Sequence, residues 1–131
     1  FFDMAKILLI EPDRQLAQTY YEALQTEGHT VIAAAGAQTA ILATDQEQPD
    51  LIILEPQLVE HSGIEFLYEL RSYSEWQLTP VIIQTIIPPA EFNDAAETLR
   101  TQLGVNRFLY KPQTNLKQLL RAVDEELPIR A

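Results

Sequence analysis

The stretch Asp50-Leu51-Ile52-Ile53-Leu54-Glu55-Pro56-Gln57 decides the fold. Four consecutive apolar residues without alternation are the pattern of a short strand covered on both faces of a parallel sheet. The run ends on one carboxylate, Glu55, and the proline behind it cannot donate to a further ladder bond. A charged residue at the carboxyl end of a buried strand puts Glu55 at the centre of a shallow acidic pocket on the edge of an α/β domain.

The same pattern recurs on either side. Lys6 leads into Ile7-Leu8-Leu9-Ile10, which halts at Glu11-Pro12-Asp13. Asp13 is suited to cap a helix with Leu16, Ala17, Tyr20, Tyr21 and Leu24 at helical spacing, stopped by Gly28. Residues 30–34 read as a second strand. Gly36 breaks it, Ala37, Ala40, Ile41 and Thr44 mark a second helix, and residues 46–49 are the loop out. Beyond the central strand, the loop 55–61 leads to Ser62-Gly63-Ile64-Glu65, a capping-box pattern opening a helix with Ile64, Leu67 and Leu70. Pro80 opens a fourth strand over 81–83 that ends at Gln84-Thr85. Behind Ile86-Ile87-Pro88-Pro89, the positions Phe92, Ala95, Ala96, Leu99 and Leu103 form one helical stripe closed by Gly104. Residues 107–110 are the fifth strand. The last helix starts near Thr114 or Asn115, carries Leu116, Leu119, Leu120, Val123 and Leu127 on one face, and stops at Pro128.

Five strands alternating with five helices predict a parallel sheet with helices on both faces and right-handed crossovers. In such sheets ligands bind outside the carboxyl ends of the strands. Those ends carry Glu11, Pro12 and Asp13; Glu55 and Gln57; Thr85; and Lys111 with Pro112. Carboxylates, a hydroxyl and an ammonium on one rim suit Mg²⁺ and phosphoryl oxygens.

A length of 131 residues suits one domain. Phe1-Phe2-Asp3 precede the single methionine, Met4, and are read as a cloning scar; residues 4–128 form the domain and 129–131 a tail. The net charge of −10, with no basic cluster, opposes binding to nucleic acid or to anionic membranes. There is no cysteine for a disulfide or a thiolate site, no apolar run spans a bilayer, and no secretory signal precedes Met4, so a cytoplasmic protein is expected.

The chain resembles a response-regulator receiver domain from Lys6 to Leu127. The likeness rests on Lys6-Ile-Leu-Leu-Ile-Glu-Pro-Asp13, Pro49-Asp-Leu-Ile-Ile-Leu-Glu55, Ser62-Gly63, Pro80-Val-Ile-Ile-Gln-Thr85 and Phe108-Leu-Tyr-Lys111-Pro112. It implies a flavodoxin-like, doubly wound (βα)5 fold with strand order 2-1-3-4-5. In receivers two acids end the first strand, an aspartate ending the third accepts the phosphoryl group, and a carbonyl two residues later completes the Mg²⁺ site. The resemblance places the acid pair on Glu11 and Pro12, the acceptor on Glu55 and the carbonyl on Gln57. It places the switch pair on Thr85 and Phe108 and the phosphate-contacting lysine on Lys111, before a Lys111-Pro112 bond that is usually cis in the family.

Two positions depart from that pattern. Pro12 has no side-chain ligand, so Mg²⁺ loses a partner, while Asp13 is better used as the helix cap. Glu55 is one methylene longer than the acceptor aspartate, moving its carboxylate by roughly 1.5 Å, and a 1 Å misplacement already costs about 10²-fold in a positioned transfer. The longer acid reaches instead toward the place of a phosphoryl oxygen, where Lys111 and Thr85 are expected to meet it. Asp-to-Glu replacement mimics the phosphorylated state in some receivers, so the pocket is either locked active-like, the state that Thr85 and Phe108 favour, or no longer switches.

The expected function is therefore a degenerate, pseudo-receiver module of two-component phosphorelay signalling that acts by protein–protein interaction without phosphorylation and is not an enzyme. A receiver phosphorylated on Glu55 with a weakened metal site is the alternative. A flavodoxin-like ligand- or nucleotide-binding protein ranks lower, because the acidic loop Glu11-Pro12-Asp13-Arg14 lacks the glycines that cradle phosphate. No cofactor is expected beyond weak Mg²⁺ at Glu11 and Gln57. Expected partners are a histidine kinase, an effector domain or a second receiver, with a homodimer possible through helix 4, strand 5 and helix 5. The outer side of that face carries Glu97, Arg100, Lys117, Arg121, Asp124 and Glu125, a set suited to paired salt bridges or to keeping the helices soluble. His29 and His61 are expected in exposed loops, Trp76 as a packing residue beside the third helix, and residues 86–89 as a half-buried loop or a partner surface.

Overall fold

Chain order alternates strand and helix throughout a computed structural model that describes residues 5–59 and 62–127. The strands are β1 (Lys6–Ile10), β2 (Thr30–Ala34), β3 (Leu51–Leu54), β4 (Val81–Thr85) and β5 (Val105–Tyr110). The helices are α1 (Arg14–Thr26), α2 (Ala37–Glu47), α3 (Gly63–Ser72), α4 (Ala96–Thr101) and α5 (Leu116–Glu126). The strands pair in parallel in the order β2-β1-β3-β4-β5, the flavodoxin-like order expected. The expected cloning scar at 1–3, the expected tail at 129–131, the expected helix stop at Pro128 and His61 lie outside the described residues.

The period of two along each strand explains the unbroken apolar runs. Ile7, Leu9, Ile53 and Ile82 face α1 and α5, packing with Tyr20, Leu24, Leu119 and Val123. Leu8, Ile10, Ile52, Leu54 and Ile83 face the other way, onto Ala40 of α2, Phe66, Leu67 and Leu70 of α3, and Leu99 of α4. Full burial of each such side chain contributes about 1.5–3 kcal/mol. Asp13 caps α1 as its sequence suggests, accepting from the Gln15 and Leu16 amides at 3.0 Å each. Asn115 and Gln118 form a reciprocal capping box on α5, each bond 2.8 Å. At α3 the Ser62 hydroxyl accepts from the Glu65 amide at 3.1 Å. Trp76 is buried in a 3-10 turn (Ser74–Trp76) directly after α3, beside Tyr73.

Several expectations need correction. The single stripe over Phe92–Leu103 is divided into a 3-10 segment, Pro89–Ala95, and the short α4. Leu99 and Leu103 are buried, but Ala95 and Ala96 are exposed. A 3-10 segment turns once in three residues rather than 3.6, so side chains entering from it drift off the stripe, and Asn93 and Asp94 are poor interior helix residues. Leu116 is also exposed, one residue past the Asn115 cap. His29 is 5% exposed, and its Nδ1 accepts from the Ala5 amide at 3.4 Å. The tight α1–β2 turn, with Gly28 at φ 98°, folds the ring inward. No cis peptide bond occurs among the described residues, and Pro112 sits inside the 3-10 turn Lys111–Gln113.

Candidate functional site

The strand order brings the carboxyl ends of β1, β3 and β5 to one rim. The ladder continues one step beyond β3, because the Glu55 amide donates to Ile10 O at 3.0 Å, and the Glu11 amide donates to Ala34 O at 3.0 Å. Both acids therefore start from backbone held as firmly as strand. Pro56 then ends the ladder, and Gly63 clamps the loop, its amide donating to Pro56 O at 2.8 Å. A Cβ at Gly63 would stand 2.6 Å from Pro56 Cα, so only glycine lets the first turn of α3 seat there.

Lys111, leaving β5, projects between the two acids. Its Nζ donates to Glu11 Oε1 at 2.7 Å and to Glu55 Oε1 at 2.8 Å. The side chains are 10%, 4% and 4% exposed respectively, so this is a buried bridge rather than a surface pair. The second oxygen of each acid is also engaged: Glu11 Oε2 accepts from the Asp13 amide at 3.1 Å and Glu55 Oε2 from the Gln57 amide at 3.0 Å. All four carboxylate oxygens thus accept a hydrogen bond from within the chain.

Two carboxylates sharing one ammonium leave the cluster one positive charge short. Burial pushes the Glu11 carboxyl up, against the lowering effect of Lys111 and the Asp13 amide, while the neighbouring Glu55 adds to the rise. For Lys111, burial pulls down, yet its hydrogen bonds and charge contacts with both acids more than offset this and its pKa is raised. The ammonium is held charged.

The other expected site residues are less closely joined. Thr85 is fully buried, and its hydroxyl accepts from the Ile87 amide at 3.2 Å; no hydrogen bond joins it to Glu55 among the described residues. This corrects the expectation that both Thr85 and Lys111 meet Glu55. Phe108 is half-buried and packs edge-on to Phe92, ring centroids 4.8 Å apart, while the β5 residue in register with Thr85 is Tyr110. Gln57 meets Glu55 through its amide. Pro12 contributes no side-chain donor. Ile86 is exposed and Ile87 half-buried, next to exposed Pro88 and Pro89.

Two further residues carry no site role in the sequence reading. Tyr20 is buried on α1 within the field of the cluster: burial raises its phenol, Lys111 opposes this, and Glu11, Asp13 and Glu55 add to it. The signal was a hydroxylated ring in a stripe otherwise able to be aliphatic. Gln84 is 3% exposed, and its Oε1 has no hydrogen-bond partner among the described residues. A lone amide inside a Val-Ile-Ile strand was the clue. No group of three or more His, Cys, Asp or Glu among the described residues is arranged to hold a metal ion.

A five-stranded parallel sheet in this order, with charged side chains at the carboxyl ends of its strands, defines a doubly wound, flavodoxin-like α/β domain. The response regulator receiver domain family model matches residues 7–124, and the chain belongs to that family. It is 34% identical over 109 residues to the transcriptional regulatory protein CpxR of Klebsiella pneumoniae, covering 83% of this chain and 44% of that protein. It is 29% identical over 109 residues to the KDP operon transcriptional regulatory protein KdpE of Escherichia coli, covering 83% and 45%. The matched region spans less than half of these curated relatives. Among solved structures, the chemotaxis response regulator CheY4 of Vibrio cholerae superposes with a TM-score of 0.84 at 26% identity, over 95% of this chain and all of that one. The chain is thus a receiver domain of the two-component signalling type. Among the described residues no helix is long and apolar enough to cross a membrane.

Proposed function

We propose that this receiver signals without phosphorylation, because its own Lys111 bridge occupies the acceptor pocket. The observation that carries the reading is the double contact of Lys111 Nζ with Glu11 and Glu55, at 2.7 and 2.8 Å, with the remaining oxygen of each acid tied to a backbone amide. Mg²⁺ needs near-octahedral oxygens and resists dehydration, and here it would have to displace an ammonium with no side-chain ligand at position 12. The donor set does not fit it. A phosphoryl donor would likewise meet a carboxylate engaged at both oxygens.

Of the two states open to such a pocket, the non-switching one has the better support. The Thr85 hydroxyl accepts from the Ile87 amide and makes no hydrogen bond to Glu55 among the described residues, and Phe108 packs on Phe92. The domain acts by binding rather than by turnover. By analogy with relatives that are transcriptional regulatory proteins, its partners would be a histidine kinase, an effector domain or a second receiver in the cytoplasm, the last through α4, β5 and α5.

Intact-mass measurement after incubation with acetyl phosphate and Mg²⁺ tests this reading. The wild-type chain is expected to gain no phosphoryl group, while a Pro12→Asp/Glu55→Asp variant gains one. Phosphoryl incorporation in the wild type, abolished by Glu55→Gln, would show instead that Glu55 is an unusual acceptor.

A further inference from the structure

Away from the strand ends, α2 and α3 enclose a groove of about 510 Å³. Ile41 and Phe66 form its apolar floor, and Leu42 stands on its wall 61% exposed. Gln38, Glu65 and Glu69 supply its polar edge. Glu65 and Glu69 lie one helical turn apart, are exposed, and make no ion pair among the described residues. Like charges at that spacing repel each other along the helix. The charge distribution sharpens this, for the sequence has no Lys or Arg from residue 15 to residue 70. The residues lining the groove include no cation, and Arg71, in the last turn of α3, donates instead to Leu103 O and Trp76 O.

We propose that this groove is a docking site for an amphipathic helix of a partner protein, with an apolar stripe over Ile41, Leu42 and Phe66 and Lys or Arg side chains against Glu65 and Glu69. Apolar anchors in a helix-bounded groove with charges at the edge are a recurring mode of peptide recognition. Nucleic acid and anionic membranes are repelled by the same carboxylates. The competing occupant is a second copy, whose α5 presents exposed Leu116 and half-buried Leu120 beside Lys117 and Arg121; shifts on residues 37–45 and 63–70 that appear with rising concentration of the chain alone would overturn the proposal. The site names a partner class for the interaction module proposed above, but it does not depend on the state of the Glu55 pocket.

The test uses the whole chain without any phosphoryl donor. A labelled 18-residue helical peptide with a leucine stripe flanked by lysines is titrated in, and amide shifts are followed by NMR. Shifts are expected on residues 37–45 and 63–70, with binding weakened about tenfold by Glu65→Lys/Glu69→Lys and similarly by Leu42→Asp. A peptide of equal charge with its leucines replaced by glutamine is expected to lose binding. Shifts spread over other faces, unchanged affinity in the charge-reversed chain, or equal binding by the leucine-free peptide each overturn the proposal. Because phosphoryl uptake is read separately by mass, failure here leaves the reading of the pocket standing, and the reverse also holds.

Discussion

Replacing Lys111 by Met leaves Glu11 and Glu55 buried with no countercharge. Breaking one side of a buried ion pair costs about 3–5 kcal/mol, so urea unfolding of Lys111→Met at neutral pH should show a loss of that order. The deficit should narrow as pH falls, because burial already raises the Glu11 carboxyl and the substitution removes the Lys111 contacts that hold it down. The alkaline limb has the opposite origin. With its folded pKa raised, Lys111 contributes stability that is complete below its ordinary value of 10.5 and is lost as pH rises through the higher folded value. A stability profile run from about pH 9 to about pH 12 should fall in the wild type more steeply than in Lys111→Met. Gln84 gives a prediction of the other sign: Gln84→Met removes an unpaired buried oxygen at nearly constant shape, so thermal unfolding should show a gain of about 1–2 kcal/mol. The acids and the lysine were legible because each interrupts or ends an apolar strand. His29 was not, since a histidine after a turn glycine reads the same whether its ring points to solvent or inward. Thr85 lies at the strand end its sequence position suggests, but the bond its hydroxyl accepts from the Ile87 amide is a local loop contact with no sequence signature.

Element boundaries followed the strength of their punctuation. Asp13 and Asn115 announced the starts of α1 and α5, and the uninterrupted runs announced β1, β3 and β4 within a residue or two. The segment after Pro88-Pro89 was misread because its apolar spacing is helical while its first seven residues, Pro89–Ala95, follow 3-10 geometry. Periodicity alone does not register a change of helical pitch. The β3–α3 junction carries the sharpest element-scale prediction. Gly63→Ala forces a methyl group against Pro56 backbone, which has little freedom to yield, and should destabilise the chain by about 1–3 kcal/mol in denaturant titration. Since Pro56 adjoins Glu55, the same variant should also perturb the NMR signals of Lys111, whereas Gly36→Ala, with only Thr39 Oγ1 near at 3.9 Å, should leave them unmoved.

Across the whole molecule the order β2-β1-β3-β4-β5 makes the first, third and fifth strands neighbours of one rim although they are remote in sequence. That arrangement was legible from the alternation of strand and helix together with the family likeness, while the division of surface charge into an anionic α2–α3 side and a mixed α4–β5–α5 side became meaningful only once the helices had positions. The Lys111 bridge links residues separated by 100 and by 56 positions, so it closes long chain loops. Such contacts form after the local ones, when the loop-closure entropy has already been met by the sheet. The bridge should therefore be absent from the folding transition state, and Lys111→Met should speed unfolding in stopped-flow chevrons while leaving the refolding arm nearly unchanged. In kinetic terms the ammonium is a latch rather than a nucleus: it sets how long the finished domain survives, not how fast it is made.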